Sequence, residues 1–501
     1  MVATVAWRDE MQGVTRSQGS FALTSATQRG SSPAKLRPVR VARPNLVLAF
    51  LHGLASIIDT RLRLTHEMAE PCVRLTCIKA GRKFSCYIAI LTGVPVFERG
   101  ADMMIIQDKL QTQPRLAVFN LGFRPFFLMA GLFAPLAILA WVAVYTGSWL
   151  PRELPGQPGE WHGHEMLFGY GMAVVSGFLL TAVRNWTRIP TLHGKWLAGL
   201  AGCWLAARLA IWLKFSLVWP MVFDLLFDVG FILAVSLPII RARQRQQIGI
   251  LAKLMLLTLA NLTFWLAMLG QLPQTLAVQW SLWSGLYLLL GLMFEMARRV
   301  LPFFIERGVG YPVQLINQTW IDQFSLVLFV FFWLVDVFAG LPGLASVLAM
   351  TLFIVHAIRL AGWHTRGIWK KPLLWVLYLG YAIATSGFLL KAATPWLGLS
   401  PLLALHAFAV GGIGLMTMGM MARVTLGHTG RDIQNPPRGT ALSFGLLALA
   451  FVLRVLLPML DGHDGLLWIA LSGYAWAGAF VLFVALYAPA LLKPRVDGLP
   501  G

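Results

Sequence analysis

Two histidines, a glutamate and a methionine stand together at the mouth of an apolar run, where Trp161-His-Gly-His-Glu-Met166 leads into Leu167–Val183. Neutral imidazole is the commonest protein metal ligand, and a thioether beside it favours a soft metal such as copper. Polar side chains in such a place are costly unless they pair, bind or react. On an α-helix each residue turns by about 100°, so His162, Glu165 and Met166 share one face above Gly169, Ala173 and Gly177. Small residues there let a second helix or a flat cofactor approach closely. His164 points nearly the opposite way, so the two histidines cannot grip one metal on a continuous helix. They serve two centres, unless Gly163 and the Pro/Gly-rich loop before it keep the backbone extended.

Further groups with possible chemistry lie inside other apolar runs. His406 stands about two turns into its run, near the depth of His162, so a copper or haem between the two is geometrically open. His356, Arg359 and Trp363 share a face; His356 is a candidate axial haem ligand and Arg359 a candidate partner for a propionate. The competing reading is a ladder of hydrogen bonds and cation–π contact. Met416, Met418, Met420 and Met421 read as adaptable packing rather than a copper relay. His428 lies just past the end of the His406 run, as a cap or a second site. Arg208 and Asp224 are equally far from the tight link at Ser216, so a hairpin brings them to one depth as an ion pair. Asp228, one turn deeper and without an obvious partner, is a candidate proton carrier. Glu295 and Arg299 pair at i, i+4.

The chain that must position these groups has 501 residues, 57% hydrophobic and only 12% charged. A soluble domain carries about twice that charge. Apolar runs recur at roughly 124–146, 163–184, 195–214, 217–240, 250–270, 277–299, 319–340, 342–362, 372–392, 399–425, 440–460 and 465–490. This predicts an all-α polytopic membrane protein of about twelve transmembrane helices. Basic residues cluster after every second run, around Arg184, Arg241, Arg298, Arg359 and Arg423, while the intervening links carry only Arg152, Lys214 and Lys391. The alternation predicts both termini in the cytoplasm and places His162 at the outer surface. It also accounts for the net charge of +20 without nucleic acid as a partner. Four cysteines give neither a disulfide framework nor a zinc spacing, and no c-type haem attachment motif, phosphate loop or dinucleotide fingerprint occurs. Residues 1–102 differ in composition and read as an atypical extension, or as sequence upstream of a start at Met103 or Met104; the remaining domain is 103–501.

Phe123-Arg-Pro-Phe-Phe127, Trp161-His-Gly-His-Glu-Met166, Gly177-Phe-Leu-Leu-Thr-Ala182 with Asn185-Trp-Thr187, Arg298-Arg-Val-Leu-Pro-Phe-Phe304 and the His406–Arg431 stretch resemble the NnrS family, over about residues 115–490. The resemblance implies a twelve-span protein of the bacterial inner membrane that holds haem, non-covalently, and copper. It also implies a part in nitric oxide metabolism, denitrification or the response to nitrosative stress, with nitric oxide or a nitrosyl species as partner. His162, His164, His356 and His406 are the positions matched as ligands. Whether the chain turns over a substrate stays open, as does the electron donor. The alternative is a secondary transporter of a small solute or metal ion, which paired charges inside the membrane equally support; a structural or assembly factor is the third reading.

Overall fold

The computed structural model describes residues 117–149, 154–460 and 465–499, with the backbone of two strands, β1 (Cys72–Ala80) and β2 (Lys83–Leu91). The chain divides into the units Met1–Ile106 and Gln107–Gly501. In the first, β1 and β2 pair antiparallel from Cys72↔Leu91 to Ala80↔Lys83. The expectations for the rest of residues 1–102, for a start at Met103 or Met104 and for Arg152 lie outside the described residues.

The second unit is helical. Its long helices are α1 (Phe123–Tyr145), α2 (Pro158–Thr187), α3 (Gly194–Trp212), α4 (Val218–Arg241), α5 (Arg245–Met268), α6 (Gln274–Gly308), α7 (Thr319–Ala339), α8 (Pro342–Trp363), α9 (Pro372–Leu397), α10 (Pro401–His428), α11 (Thr440–Leu460) and α12 (Gly465–Leu492). Each coincides with one of the apolar runs. Among the described residues ten are long and apolar enough to cross a membrane; α3, which carries Lys195 and Arg208, and α6 are not among those ten. These helices mark a multi-pass membrane protein. Large apolar side chains such as Leu226, Leu233, Val327 and Val481 are exposed on the outside of the bundle, the side chains that lipid rather than water solvates.

Sequence neighbours pack as antiparallel pairs, notably α3 with α4, α5 with α6 and α8 with α9, and the last helix returns to lie along the first. Four helices contain π-helical turns: Glu165–Gly171 in α2, Val335–Ala339 in α7, Ala407–Gly414 in α10 and Val452–Leu456 in α11. Such turns carry one extra residue per bond and recur at functional sites. Here two of them begin right after His164 and His406, and a third contains Arg454.

The glycines of α10 set how closely its neighbours approach. A Cβ on Gly412 would stand 2.8 Å from Ala384 Cβ and 3.2 Å from Ala384 Cα of α9, and one on Gly380 of α9 would stand 3.0 Å from the Met416 amide nitrogen. Backbone meets backbone, as small residues permit in a membrane. The methionines that follow, Met416, Met418, Met420 and Met421, are all buried in this core, and Met418 sulfur accepts the Ser443 hydroxyl at 3.3 Å. Their packing reading holds.

Gly412→Val is expected to destabilise the bundle by about 1–3 kcal/mol, because overpacking there has no flexible side chain to displace. Gly445→Ala, which meets nothing within 4 Å, serves as control. Thermal unfolding in detergent checks this; equal midpoints for Gly412→Val and the wild type would contradict the close-packed interface.

Candidate functional site

Helix α2 begins with Pro158 in its first turn and a reciprocal cap, in which the Gln157 amide donates to Glu160 Oε2 at 2.8 Å. The His-Gly-His sequence is therefore already helical, and the extended backbone left open by Gly163 does not occur. Gly163 instead leaves room for α6, since a Cβ there would stand 3.2 Å from Leu282 Cδ1. On this helix the two imidazoles diverge as their spacing requires. His162 stacks on Trp141 of α1, with centroids 4.6 Å apart and planes at 10°. His164 packs against Phe264 and Trp265 of α5, at 4.3 Å and 5.0 Å.

His162 shares its surroundings with His406 and Arg454, near enough for their charges to interact. His406 Nδ1 lies 2.7 Å from the Leu402 carbonyl. A carbonyl only accepts, so Nδ1 carries the ring proton and Nε2 keeps its lone pair. Among the described residues neither ring nitrogen of His162 has a hydrogen-bond partner, while Arg454 has a partner of its own. Two half-buried imidazoles thus lie in one electrostatic neighbourhood with open nitrogens, one oriented by a backbone acceptor as metal-ligating histidines usually are. Met166, one turn on from His162, is partly buried and packs against the apolar core. Among the described residues no three His, Cys, Asp or Glu side chains gather as a metal-holding group, so any ion here rests on the two imidazoles.

His164 belongs to a different assembly. Its Nδ1 lies 2.9 Å from Glu165 Oε1 and its Nε2 lies 3.0 Å from Asn261 Oδ1 of α5. Glu165 Oε2 accepts from Arg208 Nε of α3 at 3.1 Å, and Arg208 Nη2 donates to Asp224 Oδ2 of α4 at 3.1 Å. Trp265 Nε1 donates to the same Asp224 oxygen at 3.1 Å, and Asn261 Nδ2 donates to Asp228 Oδ2 at 2.9 Å. His164, Glu165, Arg208, Asp224, Asp228 and Asn261 are each no more than 2% exposed. With both ring nitrogens committed, His164 has no lone pair for a metal, which corrects its expected role as a ligand. Glu165 likewise faces Arg208 and His164 rather than sharing a site with His162 and Met166. Three residues on in a regular helix, Glu165 stands about 60° round from His162, and the π turn follows it.

Arg208 lies between the carboxylates of Glu165 and Asp224, and Asp228 stands outside those ion pairs. Its Oδ1 has no hydrogen-bond partner, so a proton can be held or released there without breaking an ion pair. Asp228 takes the interhelical hydrogen bond that is the equal alternative to proton carriage, from the Asn261 amide.

The remaining candidates lie apart from both assemblies. His356 is sandwiched between Phe294 and Phe388, at 4.2 Å and 5.8 Å, with Nδ1 2.7 Å from the Tyr381 hydroxyl. Arg359 donates to Asp322 Oδ1 at 2.8 Å, to Ser325 at 3.1 Å and to Tyr381 at 3.1 Å, and lies over the Trp363 ring at 5.9 Å. This is the packing ladder. The aromatic rings cover both faces of the imidazole, while its in-plane Nε2 has no partner among the described residues; Arg359, by contrast, is already paired with Asp322. Glu295 is held between Lys253 at 2.8 Å and Arg299 at 2.5 Å, the pair expected from i, i+4 plus one cation from α5. His428, at the far end of α10, lies against Phe123 at 5.7 Å. The residues not foreseen are Trp141, Asn261, Tyr381 and Arg454. Asn261 and Arg454 do carry a signal, a lone amide and a lone charge inside apolar runs.

Arg208→Met leaves Glu165 and Asp224 buried without their shared cation, and is expected to cost about 3–5 kcal/mol. Folded protein recovered from membranes, and its unfolding temperature, measure this. A variant that melts with the wild type would show that the network is not what holds α2, α3 and α4 together.

Comparison with known proteins bears on residues 117–495, which match the family model described as NnrS protein. Curated proteins offer no match to the chain. The match spans every helix described above, and with it the His162–His406 pair and the buried network lie within one family domain; the chain belongs to the NnrS family.

Proposed function

We propose that the chain is a metal-dependent protein of the bacterial inner membrane that acts on nitric oxide or a nitrosyl species, in its metabolism or in the nitrosative-stress response. All twelve helices then cross the membrane, both termini are cytoplasmic and His162 lies at the periplasmic end. The loop charges support that orientation. So does Arg208: α3 carries this charge in its interior, and the charge is paired there, as a crossing helix requires.

One observation carries the metal assignment: His162, stacked on Trp141, lies within charge-interaction range of His406, whose Nδ1 is held by Leu402 and whose Nε2 is left open. Copper fits this donor set, since imidazole suits it and the site lacks the oxygen cage that hard cations require. Bound there, copper supplies a redox-active centre with affinity for nitric oxide. The protein's own part is to fix His406 through Leu402, to hold the His162 ring flat against Trp141 and to keep the site partly shielded from water. The haem that the family resemblance implies belongs to the same proposal, with His356 Nε2 as its candidate axial donor; Arg359 already pairs with Asp322. Asp228 is the carboxyl best suited to exchange a proton.

Metal analysis and an optical spectrum of purified protein test this reading. Loss of either imidazole is expected to weaken copper binding by at least about tenfold, since even outer-shell losses cost ten- to a hundredfold. His162→Ala and His406→Ala should therefore each lose copper, while His356→Ala keeps it. Full copper content in both of the first two variants, or neither copper nor a Soret band in well-loaded wild type, would overturn the proposal.

A second reading, a secondary transporter of a small solute or metal ion, draws on the buried network, because paired charges near the midplane are where transporters place coupling sites. Solute or proton flux in proteoliposomes that Asp228→Asn abolishes would favour it over the metal centre.

A further inference from the structure

At the other end of the bundle the chain collects cations without matching acceptors. Arg124, the second residue of α1, is completely buried. Its Nη1 donates to the carbonyls of Ala490, Leu491 and Lys493 at 3.1, 3.1 and 2.7 Å, capping the last turn of α12. Its Nε and Nη2 are buried and have no hydrogen-bond partner among the described residues, and neither does the buried Nη1 of Arg431. The charges of Arg431 and Arg495 reach Arg124, and those of Arg495, Arg184 and Arg124 reach His428.

The acid present does not answer them. Asp497 accepts from Arg495 Nε at 2.9 Å and from Nη2 at 2.5 Å, and this pairing holds its carboxyl down to about 2. That carboxylate serves the Arg495 guanidinium, and among the described residues no carboxylate hydrogen-bonds the open nitrogens of Arg124 and Arg431. Capping explains why Arg124 is there but uses only one of its three nitrogens. A buried charged donor without an acceptor is costly, and here two guanidiniums from different elements present such donors in the same cluster.

We propose that Arg124, Arg431 and Arg495 form a site for one phosphate-class anion, supplied either by an anionic lipid headgroup or as inorganic phosphate. Several oxygens on one centre suit this donor set: the open Nε/Nη2 fork of Arg124 takes two, and Arg431 Nη1 takes a third. Burial holds the Arg431 guanidinium below its ordinary range, as an uncompensated cation requires. The site lies at the ends of α1, α10 and α12, away from the imidazole pair, and does not depend on the metal reading.

The test uses full-length protein, delipidated in neutral detergent, in two arms at constant ionic strength. One arm measures inorganic phosphate by equilibrium dialysis. The other counts phosphatidylglycerol retained per chain by native mass spectrometry, after incubation with equal phosphatidylglycerol and phosphatidylcholine. Wild type is expected to bind in at least one arm, and that arm identifies the source. Arg431→Gln, on a loop and free of capping duties, should weaken that binding about tenfold, the loss of one charge-assisted contact. Arg124→Lys keeps the charge and a donor for the capping carbonyls but lacks the open fork, and should lose binding likewise. No binding in either arm, or equal binding by wild type and both variants, would overturn the site.

Discussion

Lipid offers no water to a charge, and Arg208 is the residue through which this bundle meets that constraint. One guanidinium reaches Glu165 on α2 and Asp224 on α4, so three helices are joined where none could keep its own charge alone. His164 and Asn261 extend the arrangement to α5. The position of α2, and with it the direction in which His162 faces, follows from this clasp. The outward imidazole is aimed by what its neighbour two residues away is bound to.

The π-helical turns complete that division. A regular helix repeats its faces, so groups four residues apart compete for the same surroundings. In α2 the turn starting at Glu165 breaks the repeat for the residues that follow it, while Glu165 itself meets Arg208 and His162 stacks on Trp141. In α10 the turn follows His406 and coincides with the glycines that draw α9 inward. In α11 a similar turn holds Arg454. Wide turns thus surround the open imidazoles, whereas the ladder at His356 sits in an unbroken helix. The same chain builds one histidine environment at wide turns and another packed over both ring faces.

Much of this was legible in the chain because the bilayer reduces depth to counting. The twelve helices follow from apolar run length. The Arg208–Asp224 pair follows from equal distances to Ser216, and the common depth of His162 and His406 from the span boundaries. The divergence of His162 and His164 follows from the α-helical angle alone. What counting could not give was partnership across helices distant in sequence. Asn261 meets His164 and Asp228 only once α2, α4 and α5 have packed, and Tyr381 and Asp322 reach Arg359 from α9 and α7. Glu165 shares a broad helix face with His162 by spacing, yet about 60° of rotation is enough for it to meet Arg208 instead. The residue types of these partners were visible in the sequence; their directions were not.

The clasp of Arg124 on the final turn of α12 has a consequence in time. The first helix of the domain carries a guanidinium whose carbonyl partners, Ala490, Leu491 and Lys493, are made last. Throughout synthesis that arginine must wait without those carbonyls while the helices between α1 and α12 are made. Only the arrival of α12 along α1, together with the bond from the Ala117 amide to the Leu492 carbonyl at 2.9 Å, lets it be buried. The bundle is therefore fastened at the seam between its beginning and its end, and a chain cut short before α12 would be left holding an open charge as the mark of its incompleteness.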